Sequence, residues 1–241
     1  MHNSKIAVRL AEGADLDNFA IGEPALNRAL EALAEHKKNA VKEGAELVYA
    51  VATAAVRTAK NGKELVQRAE SELGIHINVI DGNTEAQLIY EGVKQGIQFK
   101  EAPSLIMDIG GGSTEFILLR DQKPVWQKSY PIGSSVMHGR FRPNDPIHKD
   151  EIEAIDNYLE EVLEELTAVC KGDNPRVLIG SSGSFDTLAQ MCVDNFQTSR
   201  LDPDETSYTF SMHEYMQIAD RMLKSTFEER LNTPGMIPMR A

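Results

Sequence analysis

Short apolar runs alternate along the first half of the chain with segments whose apolar residues recur at helical spacing. The helical pattern predicts three helices, which begin near Glu23, near Asn61 and near Thr84. The apolar runs predict the end of a strand at Ile6–Leu10 and the strands Leu47–Ala52 and Ile75–Ile80. Strands that alternate with helices are typical of an α/β layer, so we expect a sheet that is at least partly parallel.

The second half begins with three closely spaced strands. They are predicted at Leu105–Ile109, Glu115–Arg120 and Val125–Tyr130. Later elements are helices from Ser134 and from Lys149, a strand at Arg176–Ile179, a helix at Phe185–Val193 and a helix that Ser211 and Glu214 cap. A loop from Gly96 to Pro103 interrupts the alternation of strands and helices seen in the first half. We therefore expect two domains, residues 1–100 and 101–241.

The composition is that of a folded protein, since 41% of the residues are hydrophobic and 26% are charged. The 25 basic and 37 acidic residues give a formal net charge of −12, which argues against a nucleic-acid-binding surface. No apolar run approaches the roughly 20 residues of a membrane span, and the first residues do not resemble a secretory signal. The two cysteines lie in helix-like patterns. We therefore expect a cytoplasmic protein that neither crosses a membrane nor binds nucleic acid.

Part of the negative charge is concentrated in residues 151–170, which contain seven carboxylates and no Lys or Arg. Apolar residues interleave with these carboxylates at helical spacing, so we interpret the run as the solvated face of a helix. A polyanionic ligand would be repelled by the net charge at long range. Metal ions or local Arg and Lys side chains would have to offset that repulsion.

The segment Asp108–Glu115 carries the most informative pattern in the chain, a strand end followed by the glycines Gly110–Gly112. Three glycines permit a tight turn whose backbone amides form an anion-binding concavity, because no Cβ blocks the approach of a phosphate. Asp108 and Glu115 flank the turn as hard oxygen ligands suited to Mg²⁺. The alternative is a glycine-rich hairpin without a ligand, in which a carboxylate at a buried strand end would be unfavourable.

A second turn of small residues, Gly180–Ser184, also lies between a predicted strand and a predicted helix. Amides and hydroxyls at a helix N-terminus favour an anion. The same residues also serve as an ordinary helix cap. Two such turns in one chain favour phosphate binding more than either turn does by itself.

Glu85 and Arg57 are the remaining candidates for chemistry. Glu85 lies in the first turn of a helix that Asn83 or Thr84 caps, where it either complements the helix dipole or acts as a general base toward water. Arg57 follows a strand end, where it either binds a phosphate through two parallel hydrogen bonds or forms a surface ion pair. The histidines and cysteines show no metal-ligand spacing, so we expect no zinc site.

These motifs resemble the exopolyphosphatase and guanosine pentaphosphate phosphatase family, within the actin-like, sugar-kinase and Hsp70 superfamily. The resemblance covers essentially the whole chain. Its motifs are VRLAEG (Val8–Gly13), AVATAAVR (Ala50–Arg57), IDGNTEAQLIYEGV (Ile80–Val93), MDIGGGSTEF (Met107–Phe116), GSSGSFDTLA (Gly180–Ala189) and PGMIPMRA (Pro234–Ala241). The glycine turn fits any member of the superfamily, whereas its combination with ATAAVR and with the TEA helix start is specific to these phosphatases.

The resemblance implies two actin-like, ribonuclease H-like α/β domains around a cleft. It also implies a homodimer that releases terminal orthophosphate, with Mg²⁺, from inorganic polyphosphate or from guanosine pentaphosphate. Glu85 would be the catalytic base, and Asp108 and Glu115 would hold the metal. The residues that would bind phosphate are Arg57, Gly110, Gly111, Gly112, Ser113, Ser182 and Gly183.

The chain departs from the family pattern at several places. Gln87 stands where the family usually has Arg, which removes one positive contact to a polyanion. The family's opening strand hairpin with its phosphate loop, and its final helix, find no match, so we expect a first domain without that hairpin and a second without that helix. Two alternatives therefore stay open, a noncatalytic nucleotide- or polyphosphate-binding module of the same fold and an actin-like ATPase or sugar kinase.

Overall fold

A computed structural model of the chain describes residues 4–10, 19–196, 206–238, 240 and 241. The motif residues 11–13 and 239 lie outside this range. The helices are α1 (Glu23–Lys42), α2 (Ala54–Thr58), α3 (Gly62–Leu73), α4 (Gly82–Gly96), α5 (Ser134–Phe141), α6 (Lys149–Val162), α7 (Glu164–Asp173), α8 (Gly183–Phe196), α9 (Met212–Lys224) and α10 (Phe227–Leu231). The strands are β1 (Ala50–Ala52), β2 (Ile77–Val79), β3 (Ser104–Ile109), β4 (Thr114–Arg120), β5 (Lys123–Tyr130) and β6 (Val177–Ser181). No helix of the described part is both long enough and apolar enough to cross a membrane.

The chain divides into two compact units. Unit 1 consists of Met1–Glu85, Gly110–Thr114 and Pro131–Arg140, and unit 2 of Ala86–Ile109, Glu115–Tyr130 and Phe141–Ala241. The first change of unit falls between Glu85 and Ala86, inside α4. The assignment of residues 1–100 and 101–241 to two domains stays a prediction.

Unit 1 is built around a two-stranded parallel sheet in which Ala50 of β1 pairs with Ile77 of β2. Its longest helix, α1, begins with Pro24 in the first turn, where a missing amide costs nothing. Leu26 and Leu30 lie one turn apart on its buried face. The core of the unit consists of Ile21, Ala25, Leu26, Ala29, Leu30, Val56, Ala59, Leu65, Ala69, Ile75 and Ile77.

Unit 2 contains a four-stranded sheet with the order β5-β4-β3-β6. The strands β3, β4 and β5 follow one another through short turns, whereas β6 arrives after three helices and runs parallel to β3. The side chains of Ile106, Ile117 and Leu119 are buried against Tyr90 of α4. A second apolar cluster, around Met191 of α8, includes Ile218 of α9. The parallel pairing of β1 with β2 and of β3 with β6 confirms the expected partly parallel sheet.

The predicted strand Ile6–Leu10 is wrong, because these residues form no strand. Arg28 of α1 donates to the Val8 carbonyl at 3.0 Å instead. The predicted strand Leu47–Ala52 is too long, and Leu47 is 80% exposed. A strand exists only where a neighbour accepts and donates its backbone bonds, and β2 offers β1 three residues.

The predicted acidic helix is two helices, α6 and α7, which meet at Leu163. α6 buries no residue, which agrees with a solvated acidic face. The capping box predicted for α9 is confirmed, because Glu214 N donates to Ser211 Oγ at 3.2 Å and Ser211 N donates to Glu214 Oε2 at 2.6 Å. Both partners lie within one turn, so the local sequence suffices to predict them.

Candidate functional site

In unit 1, Arg57 and Glu85 form an ion pair. Arg57 Nη1 donates to Glu85 Oε2 at 3.0 Å and to the Ile80 carbonyl at 2.8 Å. The two side chains are 23% and 14% exposed, so the pair is shielded from most of the solvent. One guanidinium nitrogen thus fixes both the end of β2 and the first turn of α4. Of the two interpretations of Arg57, the structure shows the ion pair, with Glu85 as the partner.

The other polar side-chain atoms of this pair make no further hydrogen bond to described protein atoms. Within the described ranges, Arg57 Nε and Nη2 donate to no protein acceptor, and Glu85 Oε1 accepts no hydrogen bond. A guanidinium has five N–H donors in a planar fork, so Arg57 retains donors for an anion while it holds Glu85. Glu85 likewise retains one oxygen that can accept a proton.

Asp81, which was not among the candidate caps, caps α4. Its Oδ1 accepts a hydrogen bond from Thr84 N at 2.8 Å, and its carbonyl accepts the first helical bond from Glu85 N at 3.0 Å. The predicted caps, Asn83 and Thr84, are therefore wrong, and the helix begins earlier, at Gly82. The pKa of the Asp81 carboxyl lies below its usual range, chiefly because the Thr84 amide donates to it, with smaller contributions from the Thr84 hydroxyl and from Arg57.

Replacing Asp81 separates the hydrogen bond of this cap from its charge. Asp81→Asn keeps an N-cap acceptor, whereas Asp81→Ala removes it and is expected to lower the melting temperature at pH 7. A lowered pKa in the folded state adds stability above the pKa of the unfolded chain, and that stability is lost as the pH falls through the folded pKa. Urea unfolding from pH 7 to pH 2 should therefore show a smaller loss of stability for Asp81→Asn than for the parent. Equal losses would contradict the charge contribution of Asp81.

The glycine turn, residues Gly110–Ser113, also belongs to unit 1. Gly110 N donates to the Ser113 carbonyl at 2.9 Å, which closes the turn. A Cβ on Gly112 would lie 3.1 Å from Ala54 Cβ and 3.3 Å from Ala55 N, at the start of α2. Glycine therefore allows the turn to pack directly against the helix that carries Arg57. The predicted phosphate turn, Arg57 and Glu85 come together within one unit.

In unit 2, Asp108 and Glu115 lie on neighbouring strands of the four-stranded sheet. Asp108 of β3 is in register with Ser181 of β6, in the last residue pair between these two strands. Asp108 is half-buried. Glu115 is 1% exposed, and Ser129 Oγ donates to its Oε1 at 2.7 Å. A carboxylate this deeply buried is costly unless it is paired or binds a cation.

The two carboxylates fit a magnesium ion by their donor chemistry. Mg²⁺ prefers oxygen ligands and is commonly held by one or two carboxylates, with water and substrate phosphate completing its coordination. Throughout the described ranges, no group of three or more His, Cys, Asp or Glu side chains could hold a metal ion. A site with Asp108 and Glu115 would therefore depend on water and substrate for its other ligands.

The second small-residue turn lies at the end of β6, also in unit 2. Ser182 has a φ of 73°, in the left-handed region that favours glycine, and its Oγ donates to the Ile109 carbonyl at 3.3 Å. Gly183 begins α8, and a Cβ built on it would overlap the guanidinium of Arg240. Arg240 Nη1 donates to Thr187 Oγ1 at 3.1 Å. The structure thus places at this turn the cation of Arg240, a residue of the last motif to which no role was assigned from the sequence.

Gln87, the position where the resemblance leads one to expect Arg, is occupied locally. Its Nε2 donates to Glu91 Oε1 at 3.2 Å, one turn further along α4. Both residues belong to the part of α4 in unit 2. The amide of Gln87 therefore stabilises the helix surface and adds no positive charge.

Comparisons with known proteins identify relatives of the whole chain. The model of the Ppx/GppA phosphatase family matches residues 1–241. The crystal structure of an exopolyphosphatase from Cytophaga hutchinsonii is 35% identical and superposes with a TM-score of 0.93, covering 100% of this chain and 77% of that one. The Aquifex aeolicus member of the Ppx/GppA family is 26% identical with a TM-score of 0.71, covering 96% of this chain and 73% of that one. These structures confirm the predicted α/β fold class.

A curated relative is similar to a smaller share of the chain. Exopolyphosphatase 1 of Mycobacterium tuberculosis is 27% identical over 192 residues, which are 79% of this chain and 56% of the relative. The chain thus spans less than two thirds of the length of this relative. The roles of the individual site residues stay predictions.

Proposed function

Because the chain belongs to the Ppx/GppA phosphatase family, as its motifs predicted, we propose that it hydrolyses the terminal phosphoanhydride bond of inorganic polyphosphate. The observation that carries the proposal lies in unit 1. There Arg57 holds Glu85, and the helix that carries Arg57 packs at its start against Gly112 of the glycine turn. Relatives described as exopolyphosphatases support polyphosphate as the substrate class. Guanosine pentaphosphate, which ends in the same kind of anhydride, is the second substrate to test.

In the proposed reaction, a water oxygen attacks the terminal phosphorus while the bond from that phosphorus to the bridging oxygen breaks. Glu85 Oε1 takes the proton of the attacking water, the shortened polyphosphate leaves with the bridging oxygen, and orthophosphate is released. The bond from Arg57 Nη1 to Oε2 keeps the carboxylate in one orientation. Such positioning, together with charge stabilisation, carries most of the catalysis of phosphoryl transfer.

Binding of the polyanion is assigned to the remaining predicted residues. Backbone amides of Gly111 and Gly112, together with Ser113, bind the oxygens of the terminal phosphate, and Arg57 contributes its free guanidinium edge. Gly110, the fourth predicted residue of this turn, closes it through the bond from its amide to the Ser113 carbonyl. Ser182 and Gly183 form the second phosphate turn. Local donors are required because the net charge of −12 repels the substrate at long range.

Asp108 and Glu115 are the proposed ligands of Mg²⁺. A bound divalent cation would neutralise negative charge on the phosphate oxygens. Asp108 of β3 and Glu115 of the neighbouring strand β4 supply carboxylate oxygens, the kind of ligand that Mg²⁺ prefers.

Asp108→Asn is expected to raise the Mg²⁺ concentration that gives half-maximal phosphate release by about tenfold or more, since changes even to residues around metal ligands commonly cost about 10–100-fold in affinity. The measurement is orthophosphate release from polyphosphate across a Mg²⁺ titration. Asp156→Asn, an exposed position on α6, is the matched control. An unchanged titration for Asp108→Asn would remove Asp108 from the metal site.

The function is tested by incubating the purified protein with polyphosphate or guanosine pentaphosphate and following orthophosphate. Release of orthophosphate from polyphosphate supports the proposal, and release from guanosine pentaphosphate only would make that nucleotide the substrate.

Binding without turnover is the second candidate function, and the ion pair favours it, because Glu85 Oε2 already accepts a hydrogen bond from a guanidinium. Calorimetric binding of polyphosphate with no release would establish that candidate. The expected cytoplasmic location and homodimer stay predictions, and light scattering tests the latter.

A further inference from the structure

The first residues of α5 hold the carbonyl groups of the glycine turn. Ser134 N donates to the Gly110 carbonyl at 2.9 Å, and Ser135 N donates to the Gly111 carbonyl at 3.0 Å. All of these residues belong to unit 1. Two consecutive carbonyls of the turn are therefore bound by two consecutive amides of one helix end.

This arrangement fixes the direction of the next two amides. In a planar trans peptide, the carbonyl of one residue and the N–H of the following residue point in opposite directions. Because the Gly110 and Gly111 carbonyls point to α5, the N–H groups of Gly111 and Gly112 point away from it. Neither amide donates to a backbone carbonyl within the described ranges. The turn thus presents two donors on the face opposite α5.

Gly133, the residue before α5, makes this contact possible. A Cβ on Gly133 would lie 2.5 Å from the carbonyl carbon and oxygen of Gly111 and from Ser113 N. These are backbone atoms, which cannot move aside as a flexible side chain does. Thr114 Oγ1 donates to the Ile132 carbonyl at 3.2 Å and ties the same segment to the residue after the turn.

We propose that Gly133–Ser135, here named the α5 start, is a positioning element for phosphate binding. It holds the carbonyls of Gly110 and Gly111 so that the amides of Gly111 and Gly112 face a terminal phosphate. Without it the carbonyl oxygens, which carry partial negative charge, rotate toward the anion and repel it. The inference rests on the proposed function, since it concerns the same phosphate turn. It adds residues that act through the turn and do not touch the substrate.

Gly133→Ala is the first test, with Gly172→Ala as the matched control. Gly172 lies inside α7, and a Cβ there meets no atom within 4 Å. Gly133→Ala is expected to raise the Kd for inorganic phosphate, measured by calorimetry with Mg²⁺ present, and the KM for polyphosphate by about tenfold, because hydrogen bonds to a charged group are lost. Gly172→Ala is expected to match the parent in both quantities. A purely structural role would lower the melting temperature of Gly133→Ala and leave the Kd of the folded protein unchanged.

Ser134→Pro keeps the inference testable if Gly133→Ala does not fold. Proline is tolerated at the first position of a helix, and it removes the amide that binds the Gly110 carbonyl. Ser134→Ala removes the hydroxyl and keeps that amide. The proline variant is expected to bind inorganic phosphate about tenfold more weakly than the alanine variant.

Equal phosphate affinity in Ser134→Pro and Ser134→Ala, or parent-like affinity in a folded Gly133→Ala, would overturn the inference. A parent protein that binds no inorganic phosphate would overturn it as well. Failure of the proposed function is a separate result, in which the parent releases no orthophosphate from either substrate. The calorimetric measurement does not require turnover, so binding and hydrolysis are judged independently.

Discussion

Glu85→Gln is expected to lower the rate of orthophosphate release from polyphosphate by about 10²–10⁴-fold, the usual contribution of a positioned general base. Glutamine has nearly the same shape and can still accept a hydrogen bond from Arg57 Nη1 through its amide oxygen. It cannot take a proton from water. The Kd for polyphosphate should therefore change little while the rate falls, and the two quantities are measured by calorimetry and by phosphate release.

Glu91→Gln is the control for this variant, because Glu91 lies on the same helix, where it accepts a hydrogen bond from Gln87 and pairs with Lys94 at 4.0 Å. It should keep the parent rate. Melting temperatures of both variants show whether the fold survives. Release that continues at the parent rate in Glu85→Gln would remove Glu85 as the base and favour binding without catalysis at this position.

Arg57→Ala is expected to lower kcat/KM by about 10–100-fold, since hydrogen bonds to charged groups contribute about 1.5–3 kcal/mol. The substitution removes the bond that orients Glu85 and the donors proposed for phosphate. Loss of orientation lowers kcat, whereas loss of phosphate contacts raises KM. Steady-state kinetics therefore separate the two roles of Arg57. Arg57→Lys should recover part of the activity, because one ammonium supplies the charge without the planar fork.

Arg68→Ala is a closely matched control, because Arg68 also belongs to unit 1 and pairs with Glu23 at 3.0 Å, the distance of the Arg57 pair. It lies on α3, outside the proposed machinery. Its loss should leave kcat and KM close to the parent values. Equal kinetic losses in the two variants would mean that Arg57 acts only through the stability of unit 1.

Several features were predictable because their causes are local. The three strands β3, β4 and β5 follow one another in the sequence, and the glycine turn between the first two is visible as three consecutive glycines. The capping box of α9 lies within one helical turn. In each case the residues that decide the structure are close together in the chain.

Predictions failed where a partner distant in sequence, or a choice among equivalent neighbours, decided the outcome. Residues 6–10 have the apolar pattern of a strand, yet no strand pairs with them within the described part of unit 1. Asp81, Asn83 and Thr84 are all competent caps for α4, and the three-dimensional path of the backbone selects Asp81. Local composition contains no signal for that selection.

The candidate site shows the same division. The sequence singled out Glu85, Arg57 and the glycine turn by residue type and by resemblance. It left open whether Arg57 would meet a phosphate or a carboxylate, and Arg57 meets Glu85 across 28 positions of sequence. Arg240 and Gly133 gave no comparable signal, since a single arginine within the last motif and a lone glycine indicate no particular contact.

Outside residues 6–10, the sequence by itself determined the kinds of element, and it determined the position of the glycine turn and the family. The reason is that apolar periodicity, consecutive glycines and motif order are properties of the linear chain. The tertiary structure alone decided which groups touch. It determined that Arg57 donates to Glu85, that the Arg240 guanidinium lies beside Gly183, and that the amides of α5 donate to the carbonyls of the glycine turn. The reason is geometric, because a hydrogen bond or a close approach depends on a separation of a few ångströms, and that separation is fixed only when residues far apart in sequence have packed into one core.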